Sequence, residues 1–218
     1  MMKILASLSF MEQKILIHPT YFPSVMHFVA MVSHPVIMEA EDNFQKQTYR
    51  NRMYVYGPGG KQLLTIPVKH TKTEGHQKYK DIRIEHNFHW RKQHWKTLQT
   101  AYRTSPFFEF YEDDLGPLYE KKHNFLMDLN LDTIQFIFDI LQINPEFGKT
   151  RAYEKEVSEF ADCRFMVNAK EEPYFALEPY TQVFGDKHGF IANLSILDLL
   201  FNEGPNTLGY LERQEFPL

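Results

Sequence analysis

The stretch KILIHPTYFPS, residues 14 to 24, constrains the fold more than any other part of the chain. An apolar run ends at His18, the chain turns between two prolines, and a helical pattern begins at Ser24. A further apolar strand pattern follows at residues 36 to 39, and strands that alternate with helices indicate an α/β fold. A turn designed only for solubility needs no aromatic residues. We therefore interpret this turn as one wall of a ligand pocket, with His18 and Tyr21 pointing into it.

The remaining pattern divides the chain into three regions. Residues 14 to 85 are α/β-rich, residues 86 to 145 are helical and residues 146 to 218 are mixed. Together they predict one domain over residues 14 to 218, with residues 1 to 13 as an N-terminal extension. The expected architecture is an N-terminal strand–helix–strand and hairpin region packed with a helical middle and a short C-terminal helix. An α/β fold is predicted, and α+β stays open as the alternative.

Individual elements follow from local signals. The turn GPGGK between β-rich runs predicts a hairpin, and Gly204 with Pro205 ends a short C-terminal helix. Residues 69 to 80 carry no periodicity and are expected to form a loop. The predicted strands are residues 14–18, 36–39, 53–56, 63–68 and 81–85, and the main predicted helices are residues 24–33, 107–121 and 131–141, with a further helix from residue 88.

Composition limits the class of protein. The 218 residues carry a net charge of −4, which gives no electrostatic reason to expect a nucleic acid partner. No apolar stretch approaches the length needed to span a bilayer, so no membrane insertion is expected. The one cysteine, Cys163, excludes an internal disulfide and favours a reducing compartment, so a cytoplasmic location is expected.

His18 is the first candidate site residue. It lies where a strand is predicted to end, and ligands of open α/β sheets bind outside the carboxyl ends of strands. Ser24 could cap the next helix, whose first amides would then face an anionic group. The alternative is a core histidine bonded to a backbone carbonyl, with Tyr21 and Phe22 packed as a plug.

A second candidate is the polar segment DNFQKQTYRNRM, residues 42 to 53. It places five polar residues within eight positions: Gln45, Lys46, Arg50, Asn51 and Arg52. Lysine supplies a point charge and arginine a planar fork of donors, which suit phosphate or carboxylate groups. The alternative is that these residues form a solvated face.

A third candidate is EHNFHWRKQHW, residues 85 to 95. Its histidines do not share one helical face, so no metal site is predicted. Trp90 and His94 are four residues apart on one stripe, and His94 could act as an acid or base. Near the C-terminus, Ser195 and Asp198 are spaced as in a capping box, and a reactive serine is the alternative.

The order of several motifs resembles the WbqC-like family. These motifs are HPTYFPS, FQKxxxxNRM, LLTIPVK, the helix from Trp90 through His94 to Tyr102 and Pro106, and YTQVFGDKHGFIANLSILDLLFNEGP. The family pattern often has Gln-Pro where this chain has His18-Pro19, and an aromatic-Gly-Tyr-Phe continuation where this chain has residues 24 to 28. A ligand that binds glutamine in other members would therefore meet a histidine here.

The resemblance implies a bacterial protein associated with surface polysaccharide, or O-antigen, biosynthesis. It implies acyl or aminoacyl transfer to an amino sugar or nucleotide sugar, without a bound cofactor. The expected partner is a small-molecule substrate. The alternative is a non-catalytic ligand-binding or protein-interaction module of the same pathway. The predicted catalytic residues are His18 and His94, and the predicted substrate-binding residues are Tyr21, Phe22, Lys46, Asn51, Arg52, Trp90, Gln182, Ser195 and Asp198.

Overall fold

A computed structural model describes residues 13–69, 77–145, 147–170 and 173–218. All of the predicted N-terminal extension except Gln13 lies outside these residues, as do residues 70–76 of the predicted loop. In chain order, the strands and α-helices are β1 (Ile15–Ile17), α1 (Val25–Ser33), β2 (Val36–Met38), β3 (Arg52–Gly57), β4 (Gly60–Thr65), α2 (Trp90–Tyr102), α3 (Phe108–Glu120), α4 (Leu126–Leu141), β5 (Phe147–Lys149), β6 (Ala161–Asp162), α5 (Gly185–His188), α6 (Ile196–Glu203) and α7 (Thr207–Arg213).

A parallel sheet of short strands organises the fold. Its strand order is β5–β2–β1–β6, and each neighbouring pair is parallel. The carboxyl ends of all four strands therefore meet at one edge, where His18, Glu39, Thr150 and Cys163 directly follow β1, β2, β5 and β6. The parallel sheet with helices confirms the α/β prediction.

The start of α1 differs from the sequence expectation. Ser24 is at the N-cap position, but its hydroxyl pairs with Nδ1 of His27 at 2.8 Å rather than with a helix amide. The amide of Val25 donates to the carbonyl of Leu194, and that of Met26 donates to Oδ1 of Asn193. The prediction that these amides face an anion is wrong, because another part of the chain already satisfies them.

Strands β3 and β4 form the predicted antiparallel hairpin. Gly57 pairs with Gly60, so only Pro58 and Gly59 form the connection, and β4 starts three residues before the predicted residue 63. Gly60 has φ of +99°, a conformation that glycine adopts without the steric cost of a Cβ atom.

Helix α4 starts five residues before the predicted residue 131. Its buried face includes Asn130 and Thr133, which interrupt the apolar pattern. Both donate hydrogen bonds: Thr133 donates to the carbonyl of Asn130 within the helix, and Asn130 Nδ2 donates to the carbonyl of Arg50, 80 residues earlier in the chain. Periodicity of apolar residues alone therefore underestimated the helix.

Three further sequence assignments need correction. The predicted strand at residues 81–85 is wrong: a 3₁₀ turn, Tyr79–Asp81, is followed only by isolated bridges at Arg83 and Ile84. Strands β5 and β6 were missed because their sequences, FGK and AD, contain no apolar run like those of β1 and β2. In β5, a Cβ atom on Gly148 would lie 2.5 Å from Cδ1 of Ile37 on β2, so this position needs glycine for close packing.

One cluster of buried hydrophobic side chains extends from β1 to the C-terminal segment, from Ile15 to Phe216. Within the ranges that the structure describes, no helix is both long and apolar enough to cross a membrane.

Candidate functional site

A cavity of about 780 Å³ opens at the carboxyl edge of the parallel sheet. This sheet-edge cavity is the place where open α/β sheets usually bind ligands. Its described lining residues are His18, Asp42, Gln45, Lys46, Gln47, Thr48, Arg50, Tyr153, Lys155, Asp162, Arg164, Phe165, Val167, Asn168, Lys170 and Pro173.

Three buried polar side chains meet in this cavity. Arg50 Nη2 lies 2.6 Å from Asp42 Oδ2 and 2.7 Å from His18 Nε2. His18 Nε2 lies 2.9 Å from the same carboxylate oxygen. β1 positions His18 directly, whereas Asp42 and Arg50 come from the segment between β2 and β3.

The protonation of His18 follows from this triangle. Burial and the charges of Arg50 and Arg164 lower its pKa to about 4, although Asp42 opposes the shift. His18 is therefore neutral near pH 7. If Arg50 donates to Nε2, the proton is on Nδ1; if Nε2 donates to Asp42, Nδ1 is a free acceptor. One ring nitrogen cannot do both, so Arg50 and Asp42 compete to set the tautomer of His18.

Arg50 is incompletely satisfied. Arg50 is 1% exposed, and its guanidinium carbon lies 5.5 Å from the centre of the Tyr79 ring. The Nε and Nη1 groups have no hydrogen-bond partner within the described part of the chain. Leaving buried donors unpaired costs about 1–3 kcal/mol each, so these groups are poor contributors to stability and good candidates for binding an acceptor.

Arg164 differs from Arg50 because its hydrogen bonds are committed. Its guanidinium donates to Asp162, to Glu39 at 3.3 Å, and to the carbonyls of Glu154 and Lys155. Arg164 therefore fixes the segment after β5 against the sheet edge. We assign it a structural role in shaping the cavity.

The charge of the sheet-edge cavity opposes that of the whole chain. Its described lining has five lysine and arginine residues and two aspartates, a surplus of three positive charges. The chain as a whole carries −4. Such a local surplus favours binding of anionic groups.

Comparison with known proteins assigns the chain to a family. The profile of the WbqC-like protein family matches residues 18–172, more than half of the chain. The chain belongs to this family. The match begins at His18 and contains the cavity lining except Pro173.

The Mycobacterium tuberculosis (strain ATCC 25618 / H37Rv) protein named "Uncharacterized protein Rv1507c" is similar to the chain. The two are 26% identical over 232 aligned positions, which cover 92% of this chain and 98% of the relative. No solved structure matches the chain significantly. The C-terminal motif of this WbqC-like protein lies outside the matched residues.

The structure brings only some of the predicted site residues to the cavity. His18 and Lys46 line it. Tyr21, Phe22, Trp90 and His94 belong instead to the protein interior, and none of them is more than 4% exposed. Within the turn KILIHPTYFPS, His18 therefore lines the sheet-edge cavity, whereas Tyr21 and Phe22 are buried in the protein interior and do not line it.

The interior aromatic residues form a hydrogen-bonded cluster. The Tyr21 hydroxyl lies 3.1 Å from His94 Nδ1 and 3.0 Å from the Tyr119 hydroxyl. Burial lowers the pKa of His94 to about 4, and a hydrogen bond with the backbone of Thr65 opposes this shift. The Trp90 ring packs edge-on against His94. This placement favours a packing role for His94.

Asn51 and Arg52, the other two predicted site residues of the polar segment 42 to 53, do not line the sheet-edge cavity. Asn51 donates from Nδ2 to the carbonyl of Ile66 and so joins the loop to the hairpin. Arg52 begins β3 and is half-buried, and it does not line the sheet-edge cavity. Arg50, two residues earlier, is the arginine that reaches this cavity.

The predicted residues of the C-terminal region form a second interior network. Asp198 accepts hydrogen bonds from the hydroxyls of Tyr102 and Tyr180 and from Nε2 of Gln182, at 2.7–2.8 Å. Burial raises the pKa of Asp198, and these three donors oppose the rise. Ser195 caps α6 by accepting from the amide of Leu197, but Asp198 does not complete the capping box, because the Ser195 amide donates to the carbonyl of Tyr54.

Sequence reasoning did not select Asp42, Arg50, Arg164, Tyr153 or Phe165. Arg50 stood in the quoted polar segment, but nothing in its spacing distinguishes it from Arg52. The other residues come from segments without periodicity, so only the fold brings them together.

Two further features concern other kinds of site. In the described ranges, no group of three or more His, Cys, Asp or Glu residues could hold a metal ion. A second cleft, of about 790 Å³, lies between α2 and α3 and includes Trp95, Asp113 and Glu120. Its lining contains no buried polar atom that lacks a partner in the structure, so it offers a weaker argument for a ligand than the sheet-edge cavity does.

Proposed function

We propose that this WbqC-like protein is a group transferase of bacterial surface polysaccharide biosynthesis, and that its sheet-edge cavity binds an anionic sugar precursor. The main support is the cluster of His18, Asp42 and Arg50 at the carboxyl edge of a parallel sheet. The family resemblance supports a role in polysaccharide biosynthesis, and the side chains of the cavity support anion binding and proton transfer. Acyl or aminoacyl transfer to an amino sugar or nucleotide sugar is the reaction class that we propose.

Arg50 and Lys46 hold the phosphate or carboxylate of the substrate in this proposal. Arg50 offers two N–H groups that no described residue uses, and Lys46 contributes a cation at the rim. A bound anion also acts on His18. Negative charge nearby stabilises the imidazolium, so the anion raises the pKa of His18 from its low ligand-free value.

His18 is the proposed base. The acceptor amine or hydroxyl attacks the acyl carbon and loses its proton to His18 as the new bond forms. The bond from the acyl carbon to the leaving group then breaks, and His18 returns the proton to that group. Asp42 holds the imidazole in place through Nε2, which leaves Nδ1 as the acceptor.

A non-catalytic binding module in the same pathway is the second candidate. The ligand-free pKa of His18 near 4 favours it, because such a histidine is a weak base. The separation of His94, Lys46 and Arg52 also favours it, since these three residues do not converge on one pocket. Both candidates use the same anion site.

The first test is binding of inorganic pyrophosphate, measured by thermal shift and calorimetry. Ligand at a hundred times its Kd adds about 2.7 kcal/mol of stability, which gives a measurable shift in Tm. Arg50→Met and Lys46→Ala should reduce the affinity at least tenfold. Lys96→Ala removes an exposed lysine on α2 and serves as the control. Equal binding by all variants would disprove the anion site.

The second test separates catalysis from binding. The protein is incubated with acyl and aminoacyl thioesters and nucleotide-linked amino sugars, and products are identified by mass spectrometry. A transferase forms an acylated sugar, and His18→Gln lowers kcat while pyrophosphate still binds. Anion binding without any product from this panel would favour the binding module.

A further inference from the structure

The mouth of the sheet-edge cavity carries two exposed aromatic side chains. Phe165 is 50% exposed and Tyr153 is 44% exposed, although both are large side chains that proteins usually bury. Both line the same cavity as Arg50 and Lys46. An aromatic surface next to a cationic site suits a ligand that has a flat ring and a negatively charged group.

Phe165 stands on a rigid support. It belongs to a 3₁₀ turn, Arg164–Val167, that follows β6 directly. The amide of Cys163 donates to Leu16 of β1, and the amide of Tyr49 donates to Val167. The Phe165 ring makes no stacking contact with another described aromatic residue. A ring held by its backbone but left uncovered can bind a planar group with little loss of conformational entropy.

Tyr153 reaches the cavity from the segment between β5 and β6. The Arg164 guanidinium lies 5.2 Å from the centre of its ring. Arg164 also bonds to the carbonyls of Glu154 and Lys155, so it fixes the loop that carries Tyr153. Because the hydrogen bonds of Arg164 are committed to the protein, its role here is to position the aromatic residue rather than to bind phosphate.

Cationic side chains line the same cavity as the two aromatic residues. Lys46, Lys155 and Lys170 are exposed lining residues, and Arg50 is the buried cation. Lysine and arginine are suited to phosphate oxygens, and aromatic side chains stack on any nucleobase because every base has a flat π-face. A sugar phosphate without a base would use the cations and leave the aromatic surface exposed.

We infer that the sheet-edge cavity binds a nucleoside diphosphate unit, with the base against Phe165 and Tyr153 and the phosphates on the lysines and Arg50. This inference rests on the proposed function, because it specifies the substrate of the same site. It selects the nucleotide-linked sugar over a free amino sugar. It also assigns base binding to residues that sequence patterns did not indicate.

Calorimetry with uridine diphosphate, pyrophosphate and uridine tests the inference. The base should make uridine diphosphate bind about ten- to a hundredfold more tightly than pyrophosphate, as expected for stacking of one base. Phe165→Ala should reduce uridine diphosphate affinity to that of pyrophosphate and leave pyrophosphate affinity unchanged. Phe165→Trp should keep the preference, because it restores a flat aromatic surface. Phe110→Ala, which removes a 72% exposed phenylalanine outside the cavity, should change nothing.

The outcomes distinguish the two proposals. If pyrophosphate binds through Arg50 but uridine diphosphate binds no more tightly, the nucleoside inference is wrong and the anion site stands. If Phe165→Ala weakens both ligands equally, the ring does not contact the base and the inference is also wrong. If neither ligand binds at millimolar concentration, the proposed function fails together with the inference.

Discussion

Three buried neutral histidines should make the free energy of unfolding steeply dependent on pH. Burial lowers the pKa of His18 and His94 to about 4 and that of His27 to about 3, from an ordinary value of 6.5. Because each folded pKa lies below the unfolded value, the unfolded chain binds more protons. This stabilisation is complete above pH 6.5 and is lost as the pH falls toward the folded values.

The size of these pKa differences determines how much of the free energy of unfolding is lost at low pH. A difference of 2.5 between unfolded and folded pKa corresponds to about 3 kcal/mol, and the larger difference of His27 to about 5 kcal/mol. The sum, about 11 kcal/mol, equals the whole stability of a typical domain. We therefore expect the protein to lose about 4 kcal/mol between pH 7 and pH 5.5, and to unfold before all three histidines are protonated.

Urea denaturation at several pH values between 7 and 5 measures this loss. His94→Gln should reduce the loss between pH 7 and pH 5.5 by about 1 kcal/mol, whatever its effect on stability at pH 7, because one titrating group is gone. Asp198 opposes the trend, since its raised pKa favours the folded state as the pH falls. A free energy of unfolding that changes by less than about 1 kcal/mol from pH 7 to pH 5.5 would refute the argument.

Two substitutions test packing away from the cavity. Gly204→Ala should lower the free energy of unfolding by about 3 kcal/mol, because φ is +53° and the new Cβ would lie 2.5 Å from the ring of Phe107. Gly116→Ala serves as the control, because its Cβ would meet no atom within 4 Å, and it should be neutral or slightly stabilising. Thermal denaturation measures both. Tyr102→Phe removes a hydroxyl that donates to Asp198 and should cost about 2 kcal/mol in urea denaturation; an unchanged midpoint would mean that this network does not stabilise the fold.

The fold was predictable where apolar residues are periodic. The first strand was identified as an uninterrupted apolar run, α1 by its helical pattern and the hairpin by its glycine-rich turn. β5 and β6 were not identified, because the sequences FGK and AD contain no apolar run that marks a strand. Their pairing with β2 and β1 depends on contacts between residues more than a hundred positions apart, which no local pattern encodes.

The candidate site was predictable only in part, because the residues that line the cavity come from segments far apart in the chain. His18 could be identified because it follows a strong apolar strand, and strand ends mark ligand sites in open sheets. Tyr21 and His94 also have side chains that could bind a substrate or transfer a proton, but both are buried in the protein interior. Arg50 and Arg52 are alike in sequence and differ only in which face of the fold they reach.

Arg50 also shows how stability and function separate in this cavity. Replacing both members of a buried ion pair by apolar residues is often neutral, whereas removing one member leaves the other charge uncompensated and costs about 3–5 kcal/mol. Arg50→Met removes two unpaired N–H groups and leaves Asp42 with its contacts to His18 and to the amide of Asn43. The Asp42 side chain is less buried than that of Arg50 and keeps two other partners, so we expect Arg50→Met to be destabilised less than Asp42→Ala, which should lose about 3 kcal/mol or more in urea denaturation. If Arg50→Met is the more destabilised of the two, the arginine serves the fold, and its unpaired groups lose their meaning as evidence for a ligand.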